Sequence, residues 1–412
     1  MTRAQLAKAL VCTASALALA PAAFAQFSNG NADQEARFGV RAQATNPAVV
    51  VTIENAQPSR GTFLTPVWMG IHDGSFDSYD GGSHASVPLG GNEIEALAED
   101  GNNGPITETF ERLLPDAPQV QGLIGPSGPL APGDTAAVTL SVNPATDRYF
   151  SYASMIIPSN DFFVANGNPL AHQLFDDNGQ FVGEGFTVSG DETNDAGTEV
   201  NDEIASNVAF LAQSAPDTGL TEGGVVVTPA PGFAAPGTLT FPNGVLNHPV
   251  FGQGDFNDAD DALLRVSFRY VDLGRTVRFE STLTPDQEVG PDSVDSDAVG
   301  RARAVSIRGQ QLLVRASARR LSGPLVAAHL HLGREGVNGP VIVDLGSGLR
   351  SNGVSARVTA SDLTDAFDGN FDDFLGELAA GNVYLNLHTA ENPGGEVRGQ
   401  VELSERQVRR RY

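Results

Sequence analysis

The sequence contains a single cysteine, Cys12, and a single lysine, Lys8, among 412 residues. Both lie in an N-terminal segment that we expect to be removed. The remaining chain then has no disulfide, no thiol nucleophile, no thiolate metal site and no lysine for a Schiff base or a phosphate-binding loop. Any catalysis would depend on carboxylates, His, Ser, Tyr, Arg, or a metal with nitrogen and oxygen ligands.

Positive charge is also scarce, because 25 Lys and Arg stand against 50 Asp and Glu, for a formal net charge of −25. This balance argues against a nucleic-acid partner, since phosphate binding needs a basic surface. The acidic residues are concentrated: residues 26–271 hold 31 Asp and Glu and 7 Arg, whereas residues 272–412 hold 19 and 16. The field of the first region attracts divalent cations.

The first 25 residues have the pattern of an export signal. Two basic residues precede an apolar run at residues 9–20, and an Ala-Phe-Ala sequence predicts cleavage after Ala25. The alternative is a membrane anchor, but the run contains fewer than the roughly 20 apolar residues needed to span a bilayer, and Pro21 follows it. We predict a secreted or periplasmic protein whose mature chain has no transmembrane segment.

Short segments rich in β-branched and aromatic residues, separated by Gly, Pro, Asn and Asp, predict an all-β protein. In the second half of the chain they alternate apolar and polar residues at short spacing, which is typical of an antiparallel β-sandwich or barrel. The predicted order is a flexible segment, two domains and a basic tail, at residues 26–47, 48–271, 275–403 and 404–412. Helices are expected in four places, around residues 93–98, near 106–114 and 201–212, and within 361–380.

Three segments of the first domain follow a recognisable pattern, at residues 68–77, 155–163 and 195–199. They resemble the spondin N-terminal domain over roughly residues 48–270. The resemblance implies an eight-stranded β-sandwich with a calcium ion at one end, whose ligands fall on Asp161, Asp195 and Glu199. At position 199, Asp would match the animal members of this family better than Glu does.

The residues themselves point to the same ion. Calcium takes six to eight oxygen ligands from carboxylates, carbonyls and water. Asp161 follows a Pro-Ser turn at the end of a predicted strand, and Asp195 and Glu199 flank a glycine in another loop. Loops at one end of a sandwich can bring such carboxylates together, where their repulsion is costly without a cation. The alternative is that these are solvated loop acids.

Three of the seven histidines lie in the second domain. His329 and His331 are two residues apart on a predicted strand and therefore share one face, and His388 lies on another predicted strand. Such a trio can form a Zn or Cu site. Three interpretations remain open: structural histidines next to a buried Glu396–Arg398 pair, a metal site without turnover, and a redox or hydrolytic metal centre.

The second domain resembles the CHRD domain, named after chordin and common in bacterial secreted proteins. The matching segments are residues 283–289, Gly300, and residues 329–333, 338–340, 381–389 and 393–399. The resemblance implies an antiparallel sandwich of immunoglobulin-like or superoxide-dismutase-like type with a binding or structural role.

The chain contains no familiar catalytic motif. We therefore predict an exported calcium-binding protein of adhesion or extracellular binding type, and not an enzyme. Its expected partner is an extracellular protein or polysaccharide, with no role for nucleic acid. The alternative function is a metalloenzyme with Cu or Zn held by His329, His331 and His388.

Overall fold

The computed structural model describes residues 47–126, 128–256, 258–290 and 294–404. The predicted export signal and its cleavage site after Ala25 lie outside the described residues. The same is true of nearly all of the segment at residues 26–47 and of the tail at residues 404–412.

The N-terminal sandwich consists of two antiparallel sheets that pack face to face. Eight of its strands have four or more residues, and three have two residues. The strands are β1 (Pro47–Asn55), β2 (Phe63–Leu64), β3 (Val67–His72), β4 (Gln119–Leu123), β5 (Thr135–Ser141), β6 (Tyr149–Ile157), β7 (Phe162–Ala165), β8 (His172–Gln173), β9 (Phe186–Ser189), β10 (Asn194–Asp195) and β11 (Ala262–Asp272). One sheet has the order β5-β1-β11-β9, and the other has the order β10-β7-β6-β3-β4, with β2 and β8 also paired to β6.

Two helices, α1 (Glu93–Asp100) and α2 (Gly104–Leu113), cover the outer face of the second sheet. Leu97 of α1 and Phe110 of α2 pack with Trp68, which is fully buried. Strand β3 is consequently buried on both faces and lacks the apolar–polar alternation of a half-exposed strand. Helix α1 ends at Gly101, whose left-handed φ of 64° closes the last turn.

The C-terminal sandwich is also antiparallel throughout. Its sheets have the orders β17-β18-β14-β13-β12-β21 and β16-β15-β19-β20. The strands are β12 (Val277–Leu283), β13 (Val299–Ile307), β14 (Gln311–Arg319), β15 (Leu325–Leu332), β16 (Val341–Asp344), β17 (Leu349–Arg350), β18 (Gly353–Val358), β19 (Val383–Thr389), β20 (Val397–Gln400) and β21 (Glu402–Leu403). The prediction of an all-β protein built from sandwiches is confirmed.

Helix α3 (Phe371–Ala380) belongs to the C-terminal sandwich and packs against the N-terminal one. Its N-cap residue Asn370 accepts hydrogen bonds from two backbone N–H groups of the first turn, as a capping side chain should. Thr139 of β5 donates a hydrogen bond to the carbonyl oxygen of Gly376 at 2.7 Å. Ala48 and Val50 of β1 join the apolar core beneath this helix, so that β1 is buried on both faces.

The helix expected at residues 201–212 is wrong, because the chain forms turns there. Glu203 has φ of 48° and Phe210 has φ of 69°, and neither value occurs in a right-handed helix. The carboxylate of Glu203 accepts a hydrogen bond from the distant backbone N–H of Val245 at 2.7 Å. A long-range contact therefore overrides the local helical preference of this segment.

Within the described part of the chain, no helix combines the length and the apolar character required to cross a membrane.

Candidate metal centres

The first candidate site lies where β7 begins and β10 ends. Asp161 directly precedes β7, Asp195 ends β10, and Asp195 is paired with Phe162 across the two strands. This register brings Asp161 and Asp195 side by side. Both are buried, with Asp161 0% and Asp195 8% exposed.

The two oxygens of the Asp161 carboxyl group have unequal surroundings. Oδ2 accepts hydrogen bonds from the backbone N–H groups of Thr198 at 2.8 Å and Glu199 at 3.0 Å. Oδ1 is buried and has no hydrogen-bond partner among the described residues. An unpaired buried oxygen costs free energy, so this atom marks the place where a ligand would be stabilising.

The electrostatics of this pair favour a cation. Burial, followed by the negative charge of Asp195, raises the pKa of Asp161 to about 7. Burial also raises the pKa of Asp195, although Gly197 N–H at 2.8 Å and the side-chain amide of Asn201 at 2.7 Å donate to its carboxylate. Two carboxyl groups this close either retain a proton or bind a metal ion.

The side chain of Glu199, the third predicted ligand, lies in a neighbouring cluster of acidic side chains. Its carboxylate accepts a hydrogen bond from the N–H of Gly219 at 2.8 Å. Glu199, Glu99 and Asp217 each offer an oxygen that lies within 4.8 Å of the others. Burial raises the pKa of Glu99 to about 8 and that of Glu199 to about 7. Glu99 and Asp217 were not among the residues expected from the sequence.

Gly197 gives the loop between Asp195 and Glu199 its shape. Its φ is 65°, in the left-handed region, and a Cβ at this position would lie 2.6 Å from the carbonyl oxygen of Val225. Backbone hydrogen bonds join Gly224 N–H to Gly197 O at 2.9 Å and Val227 N–H to Asp195 O at 3.0 Å. The acidic site is therefore tied directly to residues 224–227.

The second candidate site lies on one face of the sheet that contains β15 and β19. His329 and His331 are on β15, His388 is on β19, and these strands are paired. Ring centroids are separated by 4.7 Å for His329–His388, 5.6 Å for His329–His331 and 6.3 Å for His331–His388. One nitrogen of each ring lies within 4.8 Å of one nitrogen of each other ring. The structure therefore brings all three predicted ligands together.

The hydrogen bonds of the rings define their tautomers. The Nδ1 atom of His331 lies 3.0 Å from the carbonyl oxygen of Gly339, and Nδ1 of His388 lies 3.0 Å from that of Pro393. A carbonyl oxygen can only accept, so each Nδ1 carries the hydrogen and each Nε2 keeps a lone pair. Burial lowers the pKa of His331 and lowers that of His388 to about 4, so both rings are neutral at pH 7.

Glu396 and Arg398 are both buried, but they belong to two separate networks instead of forming the expected pair. The carboxylate of Glu396 accepts four hydrogen bonds of 2.6–2.8 Å from Ser296, Ser322 and Thr389. The guanidinium of Arg398 binds the carbonyl oxygens of Arg334 and Val337 and the side chain of Asn338. Each group is satisfied by uncharged partners, so neither requires the other.

Arg398 also supports the histidine cluster through an aromatic stack. Its guanidinium carbon lies 3.5 Å from the ring centroid of Tyr384. The ring of Tyr384 in turn stacks on His331, with a centroid distance of 4.7 Å and an interplanar angle of 8°. The stack on Tyr384 and the hydrogen bond to the carbonyl oxygen of Gly339 together fix the orientation of the His331 ring.

Residues 279–401 match the family model of the CHRD domain. The match covers most of the C-terminal sandwich, includes all three histidines, and confirms the CHRD part of the resemblance. No curated protein and no solved structure matches the chain. The resemblance of the N-terminal sandwich to the spondin domain stays a prediction.

Proposed function

We propose that the protein is an exported, non-catalytic calcium-binding protein whose ion is held at the acidic site of the N-terminal sandwich. The observation that carries this proposal is the fully buried, unpaired Oδ1 atom of Asp161 beside the carboxyl group of Asp195. Glu199 is the third expected ligand, and Glu99 and Asp217 extend the same acidic region.

The chemistry of the donors favours calcium over magnesium. Calcium accepts irregular sets of carboxylate and carbonyl oxygens, whereas magnesium requires a near-octahedral shell and usually keeps several waters. Asp161 and Asp195 are both buried, so an ion bound between them would lose much of its water shell. A calcium ion would replace the proton that the two carboxyl groups otherwise share.

The proposed role in binding a partner rests on the segment that is hydrogen-bonded to this site. Leu220, Val225 and Val227 are 60%, 43% and 47% exposed, although their side chains are apolar. Backbone hydrogen bonds with Asp195 and Gly197 hold the same segment in place. We infer that calcium orders this segment so that its apolar side chains contact an extracellular protein, with polysaccharide as the alternative partner.

Export is part of the proposal and has two supports. The pattern of residues 1–25 is typical of a cleaved signal peptide. The CHRD match of residues 279–401 is compatible with secretion and supports this part of the proposal.

Calcium should raise the melting temperature of the protein, because the ion binds the folded state. At about 100 times its Kd, a ligand of this kind stabilises by about 2.7 kcal/mol. Asp161→Asn should abolish the shift, whereas Asp116→Asn, at an exposed turn of the same sandwich, should retain it. The measurement is thermal unfolding in calcium and in chelator. Identical melting curves for the unaltered protein in both buffers would exclude the calcium site.

The alternative function, a copper or zinc enzyme, depends on the histidine cluster alone. Redox turnover by metal-loaded protein that is lost in His331→Ala would favour the enzyme over the binding protein.

A further inference from the structure

We propose that His329, His331 and His388 form a second and independent site for a divalent transition metal that prefers nitrogen ligands, copper(II) or zinc(II). The ligand atoms are Nδ1 of His329 and Nε2 of both His331 and His388. The fourth coordination position is left for water or an exchangeable ligand. This inference does not depend on calcium binding.

The lone pair of His331 is the first argument. Its Nε2 atom is buried and has no hydrogen-bond partner among the described residues. Its Nδ1 donates to Gly339, so Nε2 can only accept a hydrogen bond or bind a cation. Metal-ligating histidines commonly donate their other ring N–H to a backbone carbonyl, and both His331 and His388 do so.

The pair formed by His329 and His388 is the second argument. Nδ1 of His329 lies 3.0 Å from Nε2 of His388. In a tetrahedral site with metal–nitrogen bonds of 2.0–2.1 Å, two ligand nitrogens lie about 3.3 Å apart. The two atoms are therefore near the separation that one shared metal ion requires.

Asp344 is the carboxylate next to the third ring, that of His329. It is paired with His329 across β15 and β16, and its carboxylate lies 4.0 Å from Nε2 of His329. In the metal-free protein Nδ1 of His329 donates to Nε2 of His388, because Nδ1 of His388 donates to Pro393. A metal ion bound at Nδ1 of His329 would require the hydrogen on Nε2, which faces the carboxylate of Asp344. One nitrogen of each ring lies within 4.8 Å of one nitrogen of each other ring. A metal ion bound between them would replace the hydrogen that His329 and His388 share in the metal-free protein.

The donor set restricts the identity of the metal. Three imidazoles suit copper(II) and zinc(II), whereas calcium and magnesium require oxygen ligands. His329 and His331 are half-buried, and the His329 side chain is 23% exposed, so an ion can enter from solvent. Three histidines with an open position also form the usual ligand arrangement of an exchangeable zinc or copper site.

The test uses the full mature chain without a histidine tag. Copper(II) and zinc(II) are titrated separately by calorimetry, and the copper(II) protein is examined by electron paramagnetic resonance. We expect one copper ion per chain, with hyperfine coupling to three nitrogens. Asp161→Asn should bind copper as the unaltered protein does, which separates this site from the calcium site.

Two variants remove one ligand each. His331→Phe keeps the stack on Tyr384, and His388→Gln keeps a polar side chain of similar reach. Each should weaken copper binding by more than the roughly 10–100-fold that follows loss of an outer-shell partner. His84→Gln, at an exposed histidine of the other sandwich, is the matched control and should bind normally.

The proposal fails if the unaltered protein binds less than one copper ion per chain, or if the spectrum shows fewer than three nitrogen ligands. It also fails if both ligand variants retain the affinity of the unaltered protein. Melting curves of the metal-free variants establish that each is folded, and a variant that does not fold leaves the other variant and the spectrum to decide.

Discussion

Each sandwich has a candidate metal site that contains a buried atom without a hydrogen-bond partner, and the two atoms differ in kind. At the site of the N-terminal sandwich this atom is a carboxylate oxygen of Asp161, whereas at the site of the C-terminal sandwich it is an imidazole nitrogen of His331. Oxygen donors select a hard cation such as calcium, and nitrogen donors select copper or zinc. The comparison teaches that unpaired atoms of different chemistry would give the two proposed sites of one chain different metal preferences.

Burial by itself does not create such a site, as a comparison of Glu396 with Asp161 shows. Glu396 is as deeply buried as Asp161, but four hydrogen bonds satisfy its carboxylate, and these bonds lower its pKa despite burial. Burial, followed by the charge of Asp195, raises the pKa of Asp161 to about 7, because fewer donors offset these effects. The number of donors decides whether a buried acid is a structural anion or a candidate ligand.

The largest expected effect is the loss of stability on removal of the Glu396 carboxylate, which accepts several hydrogen bonds. Glu396→Ala leaves the groups of Ser296, Ser322 and Thr389 without their acceptor, and each unsatisfied buried group costs about 1–3 kcal/mol. We expect the stability of the C-terminal sandwich to fall by about 3–5 kcal/mol. Chemical denaturation measures this change. Glu402→Ala, at an exposed acid of the same sandwich, is the control, and an equal loss in both variants would contradict the distinction.

A smaller effect is expected at Gly197, where the acidic site depends on a glycine. Gly197→Ala places a Cβ 2.6 Å from Val225 O in a left-handed conformation, and we expect a cost of about 2–3 kcal/mol. Gly237→Ala has φ of 83° and open space around its Cβ, so it should cost only about 1–2 kcal/mol. Urea unfolding and calcium titration of both variants measure the difference, and equal costs would show that the contact with Val225 is unimportant.

The last expected effect depends on pH and concerns Glu288. Burial raises the pKa of Glu288 to about 7, and one of its oxygens has no partner among the described residues. The folded state therefore holds this proton more tightly than the unfolded state, and stability falls as the pH rises from 4.5 to about 7. Glu288→Gln should match the unaltered protein at low pH and be more stable at neutral pH.

Denaturation at a series of pH values tests this prediction, with Glu402→Gln as the exposed control. The pKa of Glu396 is lowered instead, so its contribution to stability is lost as the pH falls. A Glu288→Gln variant with the same pH profile as the unaltered protein would show that this carboxyl group does not perturb folding.

The two sites differ in how far the sequence could predict them. Residues two apart on a strand share a face, so the pattern at His329 and His331 was readable from the chain alone. Glu199 was expected beside Asp161 and Asp195, but its side chain joins Glu99 and Asp217. Glu99 belongs to a helix and Asp217 to a distant loop, and no local pattern relates them.

Local physical rules determined much of this protein from its sequence. Alternation, turn residues and helix caps depend on near neighbours, and they predict the all-β fold, α1, α2 and α3. Only the tertiary structure decided why β1 is apolar on both faces, because α3 of the other sandwich covers one of them. It also decided which carboxylates meet and which stack supports His331, since those contacts join segments far apart in the chain.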